Sequence, residues 1–293
     1  MRELSVEREL AAEKTIQLIP EVLQYAENQD VFIMSEVKLR ELEKTAELVM
    51  KQARKYTYKL TDTSVIKSES ICRIQPSDGL AVPVTVMYSD LYDACRAYNN
   101  AIVISDINAI VPGGGFRVGD NSNEAQICRH STLYQCLNTK IAKMRFYYSN
   151  ATTGRWAQDS VVVVPEVMFF SKDNITPDAR HVVLGIAPPN MSVTSTQLKL
   201  SARTNELFTR RVQNAFDLAL CMSGTACSGR TLIVPVMGYK TFNLPAKLCV
   251  SVLVDAIDRI STSSIREVVL VIDDETSVLG EAIISRLRNF TIR

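Results

Sequence analysis

The stretch Asp106 to Tyr134, DINAIVPGGGFRVGDNSNEAQICRHSTLY, decides how the rest of the chain is read. An apolar run, Ala101 to Ser105, leads into it with the pattern of a strand. Pro112 turns the chain, and Gly113, Gly114 and Gly115 follow in a row. A polar loop carrying Asp120 comes next, and a helix pattern begins at about Asn123. Strand, glycine loop and helix start form a layout that suits a phosphate. Glycine admits positive φ and lets a ligand approach the backbone closely. The free N–H groups and the positive end of the next helix then face the anion. Neither common nucleotide signature is present: there is no GxGxxG, and no Lys-Ser/Thr pair to complete a P-loop. Taken alone, a glycine triplet reads as a tight turn before it reads as a ligand loop.

Working outward, strand-like runs occur at Val82–Tyr88, Ala101–Ser105, Val161–Val164, Val182–Ile186, Leu232–Val236 and Val268–Ile272. Helical patterns lie between several of them, at Ser89–Tyr98, Glu124–Leu137, Thr204–Met222 and Ala246–Ile260. Near-continuous Val/Ile/Leu strands alternating with helices predict an α/β sheet covered on both faces. Ligands of such sheets bind beyond the carboxyl ends of the strands. Two further loops fall on that edge, Gly185 to Asn190 and Pro235 to Phe242. The second offers a glycine, a lysine, a hydroxyl and two aromatics, a set fit for a phosphate-bearing ligand or for a plain β-to-α connection. Before the strands, Leu42, Ala46, Val49, Ala53 and Tyr56 form one apolar helical stripe, so residues 1–62 are expected to be a helical layer and 63–293 the main domain.

Composition narrows the function classes. The chain has 293 residues, 46% of them hydrophobic, and a formal net charge of +1, which gives no footprint for nucleic acid or an acidic membrane. Its seven cysteines are odd in number and contain no CxxC, as free core thiols in a reducing compartment would be. With His130 and His181 the only histidines, no metal site is expected, and Cys128 reads as core. Glu3, Glu7 and Glu9 near the start speak against a signal peptide, and no apolar stretch is long enough to cross a membrane. The expected location is the cytosol, or a host cytosol reached without a cleaved leader.

With the three loops in order, the chain resembles the macrodomain superfamily, and most closely the microbial-type poly(ADP-ribose) glycohydrolases. The similarity begins at Arg8-Glu9-Leu10-Ala11 through Thr15 and at Thr57-Tyr58, and continues in Val84-Thr85-Val86 and Leu91-Tyr92-Asp93-Ala94-Cys95-Arg96. The family signature is a glycine triplet, a short spacer, and Gln-Glu-Glu opening a helix. Here those last slots fall on Asn123, Glu124 and Ala125, and the helix continues in the family's style with Arg129, Ser131, Leu133 and Tyr134. Ala187-Pro188-Pro189-Asn190 is similar to the family's Ala-Pro-Asn strand end, and Gly238-Tyr239-Lys240-Thr241-Phe242 to its phosphate loop.

The resemblance implies a three-layer αβα macrodomain with a mixed central sheet, no cofactor, and ADP-ribose or an ADP-ribosylated protein as partner. Gly113, Gly114, Gly115, Phe116, Asn108, Asn123, Asn190 and the residues Gly238 to Phe242 would line the ligand. The family's second signature glutamate, its catalytic acid, is Ala125 here, and alanine carries no proton. Asp106, Asp120 and Glu124 are the remaining acids for a bond whose cleavage needs carboxylates. Acid pairs also match the fork of a guanidinium. The arrangement therefore resembles effector-type macrodomains that remove ADP-ribose from arginine, including arginine on modified ubiquitin. A non-catalytic ADP-ribose reader, and a glycohydrolase using a shifted Glu124, are the alternatives.

Each acid also has a structural reading. Asn121 with Glu124 three residues on fits a capping box. Asp120 beside Asn121 fits turn chemistry. Asp106 is costly to bury unpaired, which favours a ligand or ribose contact. Lys240 fits a phosphate contact or a solvated surface, and His130 fits packing.

Overall fold

A computed structural model describes residues 44, 47, 51 and 63–293, apart from 75–79, 154–155, 174–175, 193–201, 224–228, 262–264 and 288. Nearly all of the expected N-terminal layer over 1–62, including its apolar stripe, lies outside the described residues. Among the described residues eight strands form one mixed sheet. They are β1 (Ser64–Lys67), β2 (Val84–Tyr88), β3 (Ala101–Asp106), β4 (Ser160–Phe170), β5 (Pro177–Ile186), β6 (Thr231–Pro235), β7 (Glu267–Ile272) and β8 (Phe290–Ile292). Their order is β1-β4-β5-β3-β6-β7-β2-β8. The β1–β4 and β4–β5 pairs are antiparallel and the rest parallel.

Alternation along β3 explains the two cores. Ile102 and Ile104 enter one cluster, Ala101 and Val103 the other, because successive strand residues point to opposite faces. The first cluster is closed by α4 (Ala202–Met222), α5 (Ala246–Asp258) and α6 (Ser277–Ile284), through Phe208, Val212, Leu253 and Ile283. The second is closed by α1 (Leu91–Ala97), α2 (Asn123–Arg129) and α3 (Leu133–Leu137), through Tyr92, Ile127 and Leu133. Both sheet faces are therefore covered, as the strand composition predicts. Of the cysteines, Cys95, Cys128, Cys136 and Cys249 are buried free thiols, whereas Cys72 and Cys221 are free but exposed.

Two expected boundaries move for visible reasons. The strand expected at Val161–Val164 continues to Phe170, because a register irregularity between Val164 and Val167 absorbs Pro165 and lets pairing with β5 resume. The helix expected over Glu124–Leu137 breaks after Arg129. There β4 captures the chain: the Phe170 N–H donates to the His130 carbonyl at 2.8 Å and the Thr132 N–H to the Met168 carbonyl at 2.9 Å. Thr132 Oγ1 accepts the Met168 N–H at 3.0 Å.

The parallel strands β2, β3, β5, β6 and β7 all deliver their following loops to one edge. Between β3 and β6 the register holds only at Ile102–Leu232 and Val103–Ile233. Toward their carboxyl ends β3 stays with β5, and β6 stays with β7. The sheet thus opens at that edge between its two halves.

Candidate active site

The opening is stitched by two side chains expected to meet a ligand. The Asp106 carboxylate accepts the Gly238 N–H at 2.9 Å on one oxygen and the Asn123 amide at 2.7 Å on the other. Asn123 also donates to the Val236 carbonyl at 3.2 Å. Asp106 is buried, and burial pushes its carboxyl up from the ordinary range, against those hydrogen bonds, which pull it down. Its oxygens hold the loop after β6 to the start of α2.

The glycine loop is built as a chain of tight turns. Gly113 and Gly114 lie in the left-handed region, at φ +78° and +52°. Asn108 Oδ1 accepts the Ile110 and Val111 N–H groups at 2.8 and 2.9 Å, an Asx turn that starts the loop. Glu124 then closes it from behind. One carboxyl oxygen accepts the Asn108 N–H and the other the Gly113 N–H, both at 2.7 Å. The helix cap is Ser122 and not Asn121: its hydroxyl accepts the Ala125 N–H at 3.3 Å. Glu124 is therefore free of the capping role and points into the loop. Asp120 accepts the Ser122 hydroxyl at 2.6 Å and the Ser122 N–H at 3.1 Å.

Gly114 marks where the acids converge. A Cβ on it would stand 3.4 Å from Glu124 Oε2 and 3.5 Å from Asp120 Oδ2. Both carboxyl groups thus face the space that the missing side chain leaves open. Ala125, one residue on, is fully buried in the second core. Burial pushes the Glu124 carboxyl up to about 8; the Asn108 and Gly113 N–H groups pull the other way, while Asp120 and Asp106 add to the rise. All three candidate acids therefore lie within electrostatic reach of one another.

The other expected ligand residues divide into those that face the edge and those that support it. Gly238, at φ +80°, is packed so closely that a Cβ would meet Leu244 at 2.8 Å and Phe208 at 2.9 Å. Tyr239 is exposed, and Thr241 and Asn190 are half-buried. The Ser192 hydroxyl donates to the Thr241 carbonyl at 3.0 Å, and the Met191 N–H to the Phe242 carbonyl at 2.9 Å, which docks the loop after β5 on the loop after β6. Asn190 Oδ1 is turned back on the Ser192 N–H at 2.9 Å. Phe116 and Phe242 are buried in the two cores beneath their loops, with Phe116 against Tyr134 at a ring separation of 4.8 Å. Lys240 joins three loops: its ammonium reaches Asp273 at 2.7 Å, the Asn121 carbonyl at 2.9 Å and Glu275 at 3.4 Å. Burial works to raise Asp273, but the Lys240 ammonium and the Thr276 hydrogen bonds prevail and hold it below the usual carboxylate range.

Two further titratable side chains, His130 and Cys128, are held by packing. Burial, helped by the Lys172 and Arg129 charges, pushes His130 down to about 4, and its ring packs on Tyr92 at 4.6 Å. Burial drives the Cys128 thiol well above its ordinary value, so it is no nucleophile near neutral pH. Among the described residues no group of three or more His, Cys, Asp or Glu is arranged to hold a metal ion. Among them, too, no helix is long and apolar enough to cross a membrane. Sequence reasoning passed over Ser122, Asp273 and Glu275, and gave Arg129 no task. Arg129 Nε donates to the Phe116 carbonyl at 3.0 Å, holding the loop from below. Only Ser122 carried a signal, as a hydroxyl directly before the helix pattern.

Comparison with known proteins places this geometry. The family model described as "Microbial-type PARG, catalytic domain" matches residues 12–172, more than half of the chain. The chain belongs to that family. Poly(ADP-ribose) glycohydrolases (PARGs) cut ADP-ribose glycosidic bonds, which sets the chain among the hydrolases. No curated protein sequence matches it. Solved PARG structures share the fold. One from Thermomonospora curvata is 16% identical, with a TM-score of 0.69, over 85% of this chain and 100% of that one. The same enzyme bound to the inhibitor ADP-HPD superposes equally well, with a TM-score of 0.69 at 15% identity over 85% of this chain and 100% of that one. One from Deinococcus radiodurans in complex with ADP-ribose is 18% identical, with a TM-score of 0.65, over 79% and 96% of the two chains. The mixed sheet with helices on both faces is the macrodomain-like fold of these PARGs.

Proposed function

We propose that the protein binds ADP-ribose along the opened sheet edge and hydrolyses the bond between its terminal ribose and an arginine of a modified protein. The observation that carries this is the convergence of Asp120 and Glu124 on the space over Gly114. The diphosphate would lie against Gly113 to Gly115 and the loop from Gly238 to Phe242, with Tyr239 beside the base or a ribose. Glu124, pushed up to about 8, keeps a proton at neutral pH and can give it to the leaving atom. Asp120, half-open to solvent, would steady the positive charge that develops on the ribose and orient a water. A guanidinium suits the Asp120 carboxylate better than a further phosphate, which that carboxylate repels.

A second reading, cleavage of poly(ADP-ribose) with Glu124 as the acid, is favoured by family membership and by one feature of α2. Ala125 faces the core while Glu124 faces the loop, as a register slip of one residue would require. Incubation of the protein with arginine-linked mono(ADP-ribosyl) protein and with poly(ADP-ribose), reading free ADP-ribose, separates the two. Release from the arginine linkage, lost in folded Asp120→Ala and Glu124→Gln, is expected. Release from polymer alone establishes the second reading. Binding with no release from either substrate makes the protein a reader and overturns both.

A further inference from the structure

Asn121 and Glu275 meet across a loop that separates their strands. In the sheet order β3-β6-β7, the loop after β6 lies between the loops after β3 and β7. The Asn121 amide, on the first of these, donates to Glu275 Oε1, on the last, at 2.9 Å. Lys240, on the middle loop, joins both ends of that strap. Its ammonium donates to the Asn121 carbonyl at 2.9 Å and pairs with Asp273 at 2.7 Å and Glu275 at 3.4 Å. The strap is firm at one end and loose at the other. Asp273 is fixed by Thr276, whose N–H and hydroxyl donate to Oδ1 at 3.0 and 2.7 Å. The Asp273 side chain is 15% exposed and that of Lys240 14%, against 53% for Glu275. Ion pairs with an exposed partner are weak and readily exchanged.

We propose that Lys240 selects the ligand by charge: its ammonium passes from Glu275 to the diphosphate, and Glu275 sets how much charge a ligand must bring. This rests on the reading that the diphosphate lies between the glycine loop and the loop from Gly238 to Phe242. The bond from Lys240 to the Asn121 carbonyl ties the loop after β6 to the loop after β3, so a ligand entering between them meets it. Asp273 and Glu275 set two negative charges against the one positive charge of Lys240. An uncharged ligand offers the ammonium less than it would give up. A diphosphate brings two negative charges and charged oxygen acceptors. As it takes the ammonium, Glu275 turns to solvent and the strap parts at its loose end. Asp273 stays in place, held by Thr276.

Glu275→Gln keeps an oxygen for the Asn121 amide and removes the charge. Titration calorimetry at low salt should find ADP-ribose bound about two- to fivefold more tightly by this variant than by the wild type, as loss of a competing exposed ion pair implies. The gain should shrink as salt is raised, because exposed charges are screened. Lys240→Met should bind more weakly, and adding Glu275→Gln in that background should gain nothing. A gain that survives without Lys240 would mean plain repulsion between Glu275 and the ligand, and would overturn the transfer. Equal affinities of wild type and Glu275→Gln would also overturn it, while leaving the binding mode intact. No heat from any of these proteins, each shown to be folded, would instead remove the ADP-ribose reading itself.

Discussion

Glu124 is held by contradictory forces, and the balance between them is measurable. Its two hydrogen bonds from backbone N–H groups favour the anion, while full burial and two neighbouring acids favour the neutral form. Its carboxyl rises from the usual 4.5 to about 8, so the folded protein holds a proton there that the unfolded chain releases. Stability from this group is complete below pH 4.5 and is lost as pH rises toward 8. Melting temperature measured against pH should therefore fall across that window in the wild type. It should fall less in Glu124→Gln, which itself starts about 1–3 kcal/mol lower because an amide nitrogen faces one of the N–H donors. Equal slopes in the two proteins would refute a neutral Glu124. From sequence, the acids could be named because they flank a glycine triplet at a helix start. Their directions could not, since a slip of one residue turns a helical side chain by about 100°. The sequence placed the cap on Asn121 with Glu124, and the Ser122 hydroxyl at Ala125 corrects it.

At the scale of elements, the beginning of α2 joins stability to the proposed chemistry. Ser122 caps the helix and holds an Asp120 oxygen with the same hydroxyl. Ser122→Ala should cost about 1 kcal/mol in urea unfolding, as lost caps do. It should also lower turnover more than ligand affinity, because Asp120 loses an anchor beside the reacting centre. Full activity with the stability loss would mean that Asp120 needs no such anchor. Long apolar strands such as β3 and β7 were legible because both faces of them are buried. Breaks imposed from elsewhere were not legible. The end of α2 depends on β4, whose partners His130 and Thr132 lie well over thirty residues away in sequence. Pro165 stopped the expected strand early, since a local pattern cannot reveal that a bulge will carry pairing past it.

For the molecule as a whole, the gathering of the candidate-site loops on one sheet edge was predictable. Alternating parallel strands and helices put their carboxyl ends on one edge, and the loops after β3, β5 and β6 meet there. The strand order was not predictable, because register between distant segments leaves no local trace. Neither was the contribution of the loop after β7, whose Asp273 and Glu275 hold Lys240 across to Asn121. Lys240 alone suggested a phosphate contact, yet its ammonium ties three loops together. The opening between β3 and β6, stitched by Asp106 and Asn123, is the feature on which the proposed function depends.

The most direct test is titration calorimetry of ADP-ribose into the folded protein. A saturable heat with a dissociation constant in the micromolar range or below is predicted. No heat at millimolar ligand, with the protein shown to be folded, would contradict the account at its base.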